Sequence, residues 1–139
     1  MKTFFIGIDI SKDTLDFAIC KDVNNPIDDS FKVDNSIKGI SQMIRKCKKS
    51  KSLLWFCFEH TGNYGLLLSH QLQAEGLTYS AVPALEIKQS QGMVRGKSDP
   101  VDAKRIALYA ATHKHKLTPI KFLAKTFLKS NIYLLIVCN

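Results

Sequence analysis

The run Leu53-Leu54-Trp55-Phe56-Cys57-Phe58 constrains this chain more than any other feature. Six apolar residues in succession have no polar face and are too few for a buried helix. They predict a strand covered on both sides, the central member of a sheet with a layer above and below. The strand stops abruptly at Glu59. The other long apolar run, residues 132–138, is equally short, and neither approaches the ~20 residues of a membrane-spanning helix. No membrane association is expected.

The rest of the sequence supplies the neighbours of that strand. Residues 3–9 form a strand, and a short turn, Ser11-Lys12-Asp13, leads into residues 14–21. There Leu15, Phe17 and Ile19 alternate with Asp16, Ala18 and Cys20, a period of two that predicts an antiparallel hairpin. Residues 31–34 make a third strand. Ser36 is the expected N-cap of a helix over 37–49, whose Ile37, Ile40, Met43 and Ile44 have helical spacing and whose end is basic. Gly62-Asn63 turns into a helix over 64–74, stopped by Gly76. A strand over 78–82 closes at Pro83, and a short helix follows over 84–91. A basic loop, residues 92–97, precedes Ser98-Asp99-Pro100-Val101-Asp102. With Asp99 as N-cap, Pro100 takes the first helical position and Asp102 the third, in a helix running to about residue 112. The order β-β-β-α-β-α-β-α-α predicts an α/β fold, a mixed sheet with flanking helices. After His115 the pattern weakens. Phe122, Leu123, Phe127 and Leu128 match a helix, and residues 132–138 are expected to lie exposed or fold back onto the sheet.

Length and charge bound the function. One compact domain, or one domain with a short extension, fits 139 residues. Twenty Lys/Arg oppose 12 Asp/Glu, a net charge of +8. Residues 1–85 are nearly balanced, whereas residues 86–129 carry ten basic and three acidic side chains. Such an excess favours a polyanionic partner, nucleic acid before membrane. The four cysteines form no CxxC pair, and Asp9 interrupts the N-terminal apolar run too early for a signal peptide, so a reduced, cytoplasmic setting is expected.

Four carboxylates stand at unusual places. Asp9 and Glu59 end apolar strands that are neighbours if the sheet is mixed, and Asp99 and Asp102 are three apart at a helix start. Singly, each has a plainer role as a turn residue, a surface ion-pair partner or a helix cap. Together they form an all-oxygen donor set of the kind Mg²⁺ or Mn²⁺ takes, and two such ions serve phosphodiester chemistry. Arg95 and Lys97, in a glycine-containing loop just before Asp99, are candidate phosphate contacts, as are Lys12, Lys104 and Arg105. His60, His113 and His115 fall in no ligand pattern.

Three segments, Gly7-Ile-Asp9-Ile-Ser-Lys12, Glu59-His-Thr-Gly-Asn-Tyr64 and Gly96-Lys-Ser-Asp99-Pro-Val-Asp102-Ala-Lys-Arg105, resemble the N-terminal domain of the DEDD transposases of bacterial insertion sequences. This is the IS-one-ten family, related to the Piv DNA invertases. The resemblance covers residues 3–116 and implies a RuvC-like, ribonuclease-H-type fold. It further implies that Asp9, Glu59, Asp99 and Asp102 match the family's four metal-binding, catalytic acids. Family members are DNA recombinases that work as assemblies of several subunits, some directed by a structured guide RNA made from the element. Their nucleophilic serine lies in a second domain. Residues 117–139 do not resemble the family's continuation, so a truncated transposase domain, inactive by itself, is expected.

Two other readings use the same residues: a free-standing RuvC-like metal-dependent nuclease, and a non-catalytic nucleic-acid-binding remnant. An actin- or sugar-kinase-like ATPase would share the strand followed by Gly-Ile-Asp-x-Ser-Lys. It would also need an Asp-x-Gly turn, a glycine-rich adenosine site and a second lobe, and the sequence shows none of these.

Overall fold

The computed structural model describes residues 2–25, 27, 30–49, 52–60, 62–90, 102–122 and 135–137. The apolar run is a central strand, β4 (Leu53–Glu59), and it lies parallel to β1 (Thr3–Ile10) with Ile8 opposite Phe58. β1 also forms the expected hairpin with β2 (Thr14–Cys20), which pairs in turn with β3 (Phe31–Asp34). β5 (Thr78–Val82) continues the sheet parallel to β4. Two three-residue strands complete it, β6 (Ile120–Phe122) and β7 (Leu135–Val137), giving the order β3-β2-β1-β4-β5-β6-β7. Phe122 therefore lies on a strand rather than the expected helix, and part of the apolar C-terminal run folds back onto the sheet edge.

Both faces are covered, because the central strands β1 and β4 are apolar on both sides. Alternate residues Ile6 and Ile8 of β1, with Phe56 of β4, are fully buried under α1 (Ile37–Lys48) and α2 (Leu66–Ala74). The opposite register, Phe5 and Gly7 of β1 with Cys57 of β4, faces α4 (Ala103–Thr112). Each large side chain withdrawn this completely contributes roughly 1.5–3 kcal/mol. The α1 face is built as its sequence foretells: Ser36 is extended and its hydroxyl accepts the Gly39 N–H at 3.1 Å. Two helix starts differ. Residues 62–65 form a 3₁₀ turn before α2 begins at Leu66. The short helix α3 (Ala84–Ser90) then follows β5.

The second difference is at α4. Asp102 is not the third residue of this helix but its N-cap, extended at φ −95° and ψ 173°, with Oδ1 accepting the Arg105 N–H at 2.9 Å. A carboxylate satisfies a free N–H of the first turn and complements the positive helix end, so Asp102 takes the cap itself. The expectation that Asp102 is the third residue of this helix is thereby overturned, while the expected cap, Asp99, lies outside the described residues.

Candidate carboxylate site and family

The site grows from a close approach between a strand and a helix. Gly7 lies beneath α4. A Cβ there would overlap the backbone N of Ala107 and O of Ala103 and lie 2.8 Å from Ala107 Cα. Only a residue without a side chain lets α4 sit this low on β1. Two residues on, and on the same face, is Asp9; one residue before α4 is Asp102. The parallel register places Glu59 beside Asp9, one step past the Ile8–Phe58 pair. Three of the expected acids therefore meet at the C-terminal ends of β1 and β4 and the N-terminus of α4. The fourth, Asp99, lies outside the described residues, as do Arg95 and Lys97.

The acids are close enough to interact. Asp9 is half-buried, and its carboxyl is held above the usual value of 3.8. Desolvation is the largest cause, followed by the charges of Asp16, Glu59 and Asp102, with Lys32 opposing. Among the described residues, no three acids, histidines or cysteines are already drawn together tightly enough to hold an ion. Asp102 spends Oδ1 on its cap.

Asp16 and Asn35 join this end of the sheet without a sequence motif to mark them. Asp16 stands directly opposite Asp9 in the β1–β2 ladder, within 3.8 Å of the Lys32 ammonium. The tight hairpin was the available signal, since pairing Ile10 with Leu15 forces Asp9 against Asp16. Asn35 ties the surrounding loops together. Its amide donates to the carbonyls of Ser11 at 2.9 Å and Tyr64 at 3.0 Å, and its backbone N–H donates to Asp13. The turn after β1 and the turn after β4 are thus joined through one side chain.

Of the expected phosphate contacts, Lys12 is exposed in the hairpin turn. Lys104 and Arg105 are half-buried in the first turn of α4, and neither is free. His60 is exposed, its backbone N–H bound to Val82 O at 3.0 Å. His113 stacks on Tyr109 with ring centroids 4.8 Å apart, so it packs rather than ligates.

The family model of IS110-type DEDD transposases, described as "Transposase", matches residues 6–129. The chain belongs to this family. The fold of this transposase domain is also similar to RuvC of Thermus thermophilus, with a TM-score of 0.57 and 14% identity over 84% of this chain and 99% of that one. A second similar structure is T. thermophilus RuvC in complex with a Holliday junction substrate, at a TM-score of 0.53, 13% identity and the same coverage. At these identities the likeness shows the ribonuclease-H-like fold. No curated protein matches the sequence. No helix among the described residues of the transposase domain is long and apolar enough to cross a membrane.

Proposed function

We propose that this domain binds divalent metal and DNA for transposition, with Asp9, Glu59, Asp99 and Asp102 as its metal-binding, catalytic acids. The observation that carries the reading is the convergence of Asp9, Glu59 and Asp102 at one end of the sheet, where burial first, and then the charges of Asp16, Glu59 and Asp102, raise the Asp9 carboxyl. A cluster of carboxylates that raises one another's cost of ionisation suits a divalent cation, and the donor set is all carboxylate oxygen, as Mg²⁺ or Mn²⁺ prefers. When bound, such ions activate a nucleophile and stabilise the leaving oxygen of a phosphodiester. The carboxylates themselves would orient the ions, and the Asn35 bridge would hold the two loops around them in register.

DNA is the proposed substrate, gripped by Lys12, Arg95, Lys97, Lys104 and Arg105 next to the acids. The Holliday junction bound by the similar RuvC structure supports a DNA partner. A guide RNA, assembly of several copies and a cytoplasmic setting belong to the same reading. We assign residues 1–116 to the RuvC-like unit and 117–139 to a C-terminal segment that adds two short strands to its sheet, the family match continuing to residue 129.

The resemblance puts the nucleophilic serine of the reaction in a second domain, so residues 1–139 are proposed to bind metal and DNA without completing strand transfer by themselves. Two measurements test this. Affinity for unrelated DNA duplexes should fall steeply with salt and weaken about equally for all of them in an Arg95→Gln/Lys97→Gln variant. A recombination assay with donor and target plasmids should give no junctions from residues 1–139 alone, and junctions once a family-type second domain is supplied. A flat salt response, or junctions from the short chain, would overturn the respective half of the reading.

A further inference from the structure

The near-neutral balance of residues 1–85 conceals a segregated charge. Between Asp34 and Glu59 the sequence holds six Lys/Arg and no acid. The α1 helix gathers most of them into one stripe. Lys38, Gln42, Arg45, Lys46 and Lys49 follow helical spacing along one face and are all exposed, while Gly39, Ile40, Met43, Ile44 and Cys47 are buried on the other. Gln42, Arg45, Lys46 and Lys49 line an open cleft of about 350 Å³. Within it the Lys46 ammonium rests 4.1 Å from the centre of the Phe31 ring, a cation–π contact that limits its wandering. Lys48 points elsewhere, toward α2, and is paired with Glu75 at 3.2 Å. Since α1 and α4 cover opposite faces of the sheet, this stripe lies on the face away from Lys104 and Arg105 of α4.

We propose that α1 is a second DNA surface, contacting the backbone of a B-form duplex through Lys38, Arg45, Lys46 and Lys49. The stripe spans 12 residues, about 16 Å from first to last, which matches roughly five phosphates along one strand of a duplex. Among the described residues the lining of the cleft carries no aromatic side chain, and Phe31 lies half-buried beneath Lys46, so these residues offer no free platform for stacking the bases of a single strand. A B-form major groove admits a helix, whereas the A-form groove of RNA is too deep and narrow. An anionic membrane fits poorly, because a helix that lies on lipid inserts its apolar face and that of α1 is spent in the core. The domain would then hold one duplex segment at the carboxylates and another across the far face. This inference does not depend on the metal site.

The test is fluorescence anisotropy with a labelled 20-base-pair DNA duplex, across a range of salt. The Arg45→Gln/Lys46→Gln/Lys49→Gln variant should bind more weakly, with the slope of log affinity against log salt reduced by about 2–3. Lys48→Gln should stay within twofold of wild type. A charge-retaining Arg45→Lys/Lys46→Arg/Lys49→Arg variant should bind as wild type, which excludes misfolding as the cause of loss. An unchanged affinity in the triple Gln variant would overturn the proposal. So would an effect confined to an RNA duplex or to anionic vesicles. A parallel Lys104→Gln/Arg105→Gln variant separates the two surfaces: loss there alone supports the α4 grip and refutes this one.

Discussion

Replacing Gly7 with Ala is the sharpest perturbation of the arrangement that builds the site. The added methyl group would lie 2.8 Å from Ala107 Cα and closer still to two backbone atoms of α4, whereas ordinary contacts begin near 3.4 Å. The obstacle is helix backbone, which cannot rotate aside, so α4 must move outward by more than half an ångström. Overpacking of this kind costs about 1–3 kcal/mol. For a chain of this size each kcal/mol lowers Tm by roughly 3–6 °C, so the expected loss is roughly 3–18 °C. The displacement also carries Asp102 away from Asp9, and misplacing a reacting group by ~1 Å costs about 10²-fold in rate. Thermal unfolding followed by circular dichroism, with and without Mn²⁺, is the assay. Gly7→Ala should melt lower and gain less from the ion than wild type. A variant that melts as wild type would refute the packing of α4 on β1, and with it the reason Asp102 reaches the site.

Other consequences can be checked as directly. Because the Asp9 carboxyl is raised in the folded chain, the native state holds that proton more tightly than the unfolded state does. Its ionisation therefore subtracts stability as pH rises from about 4 through the raised native value. Asp9→Asn should accordingly raise Tm without metal, by more at pH 7 than at pH 4; an equal or negative change at pH 7 would contradict the clustering. Ser36→Ala removes the α1 cap and should cost about 0.5–2 kcal/mol in chemical denaturation, with Ser36→Gly costing less. Burial pushes the Cys47 and Cys57 thiols up to about 12, so both should resist a thiol reagent at pH 8 until the chain unfolds.

Strands β1 to β5 were legible because their signals are local and strong, whereas the short β6 and β7 were not. The unbroken run at β4, the period of two in β2 and the Ser36 cap each reflect one element and its immediate burial. Asp9 and Glu59 were legible for the same reason, as charges that end apolar strands. The start of α4 was not. Asp99 with Pro100 and Asp102 with Arg105 are both good helix starts, and the choice depends on how α4 settles over Gly7, a contact between segments a hundred residues apart. Asp16 was hidden by its place in an alternating strand, where a polar residue reads as solvent-facing. In fact both faces of β2 are covered, and Ala18 and Cys20 on the Asp16 side are buried against α4. The basic stripe on α1 was masked by averaging charge over 85 residues, and helical spacing alone would have exposed it.

The central claim is that Asp9, Glu59 and Asp102 act with Asp99 as one cation site. Titration calorimetry with Mn²⁺, without and then with a DNA duplex present, tests it most directly in wild type, Asp9→Asn, Glu59→Gln and Asp102→Asn. Asp102→Asn keeps a capping side chain, so its effect reports ligation rather than helix fraying. The account predicts saturable binding in wild type, tighter with DNA, and a loss of at least tenfold in each variant. Equal binding in all four proteins, with and without DNA, would contradict it.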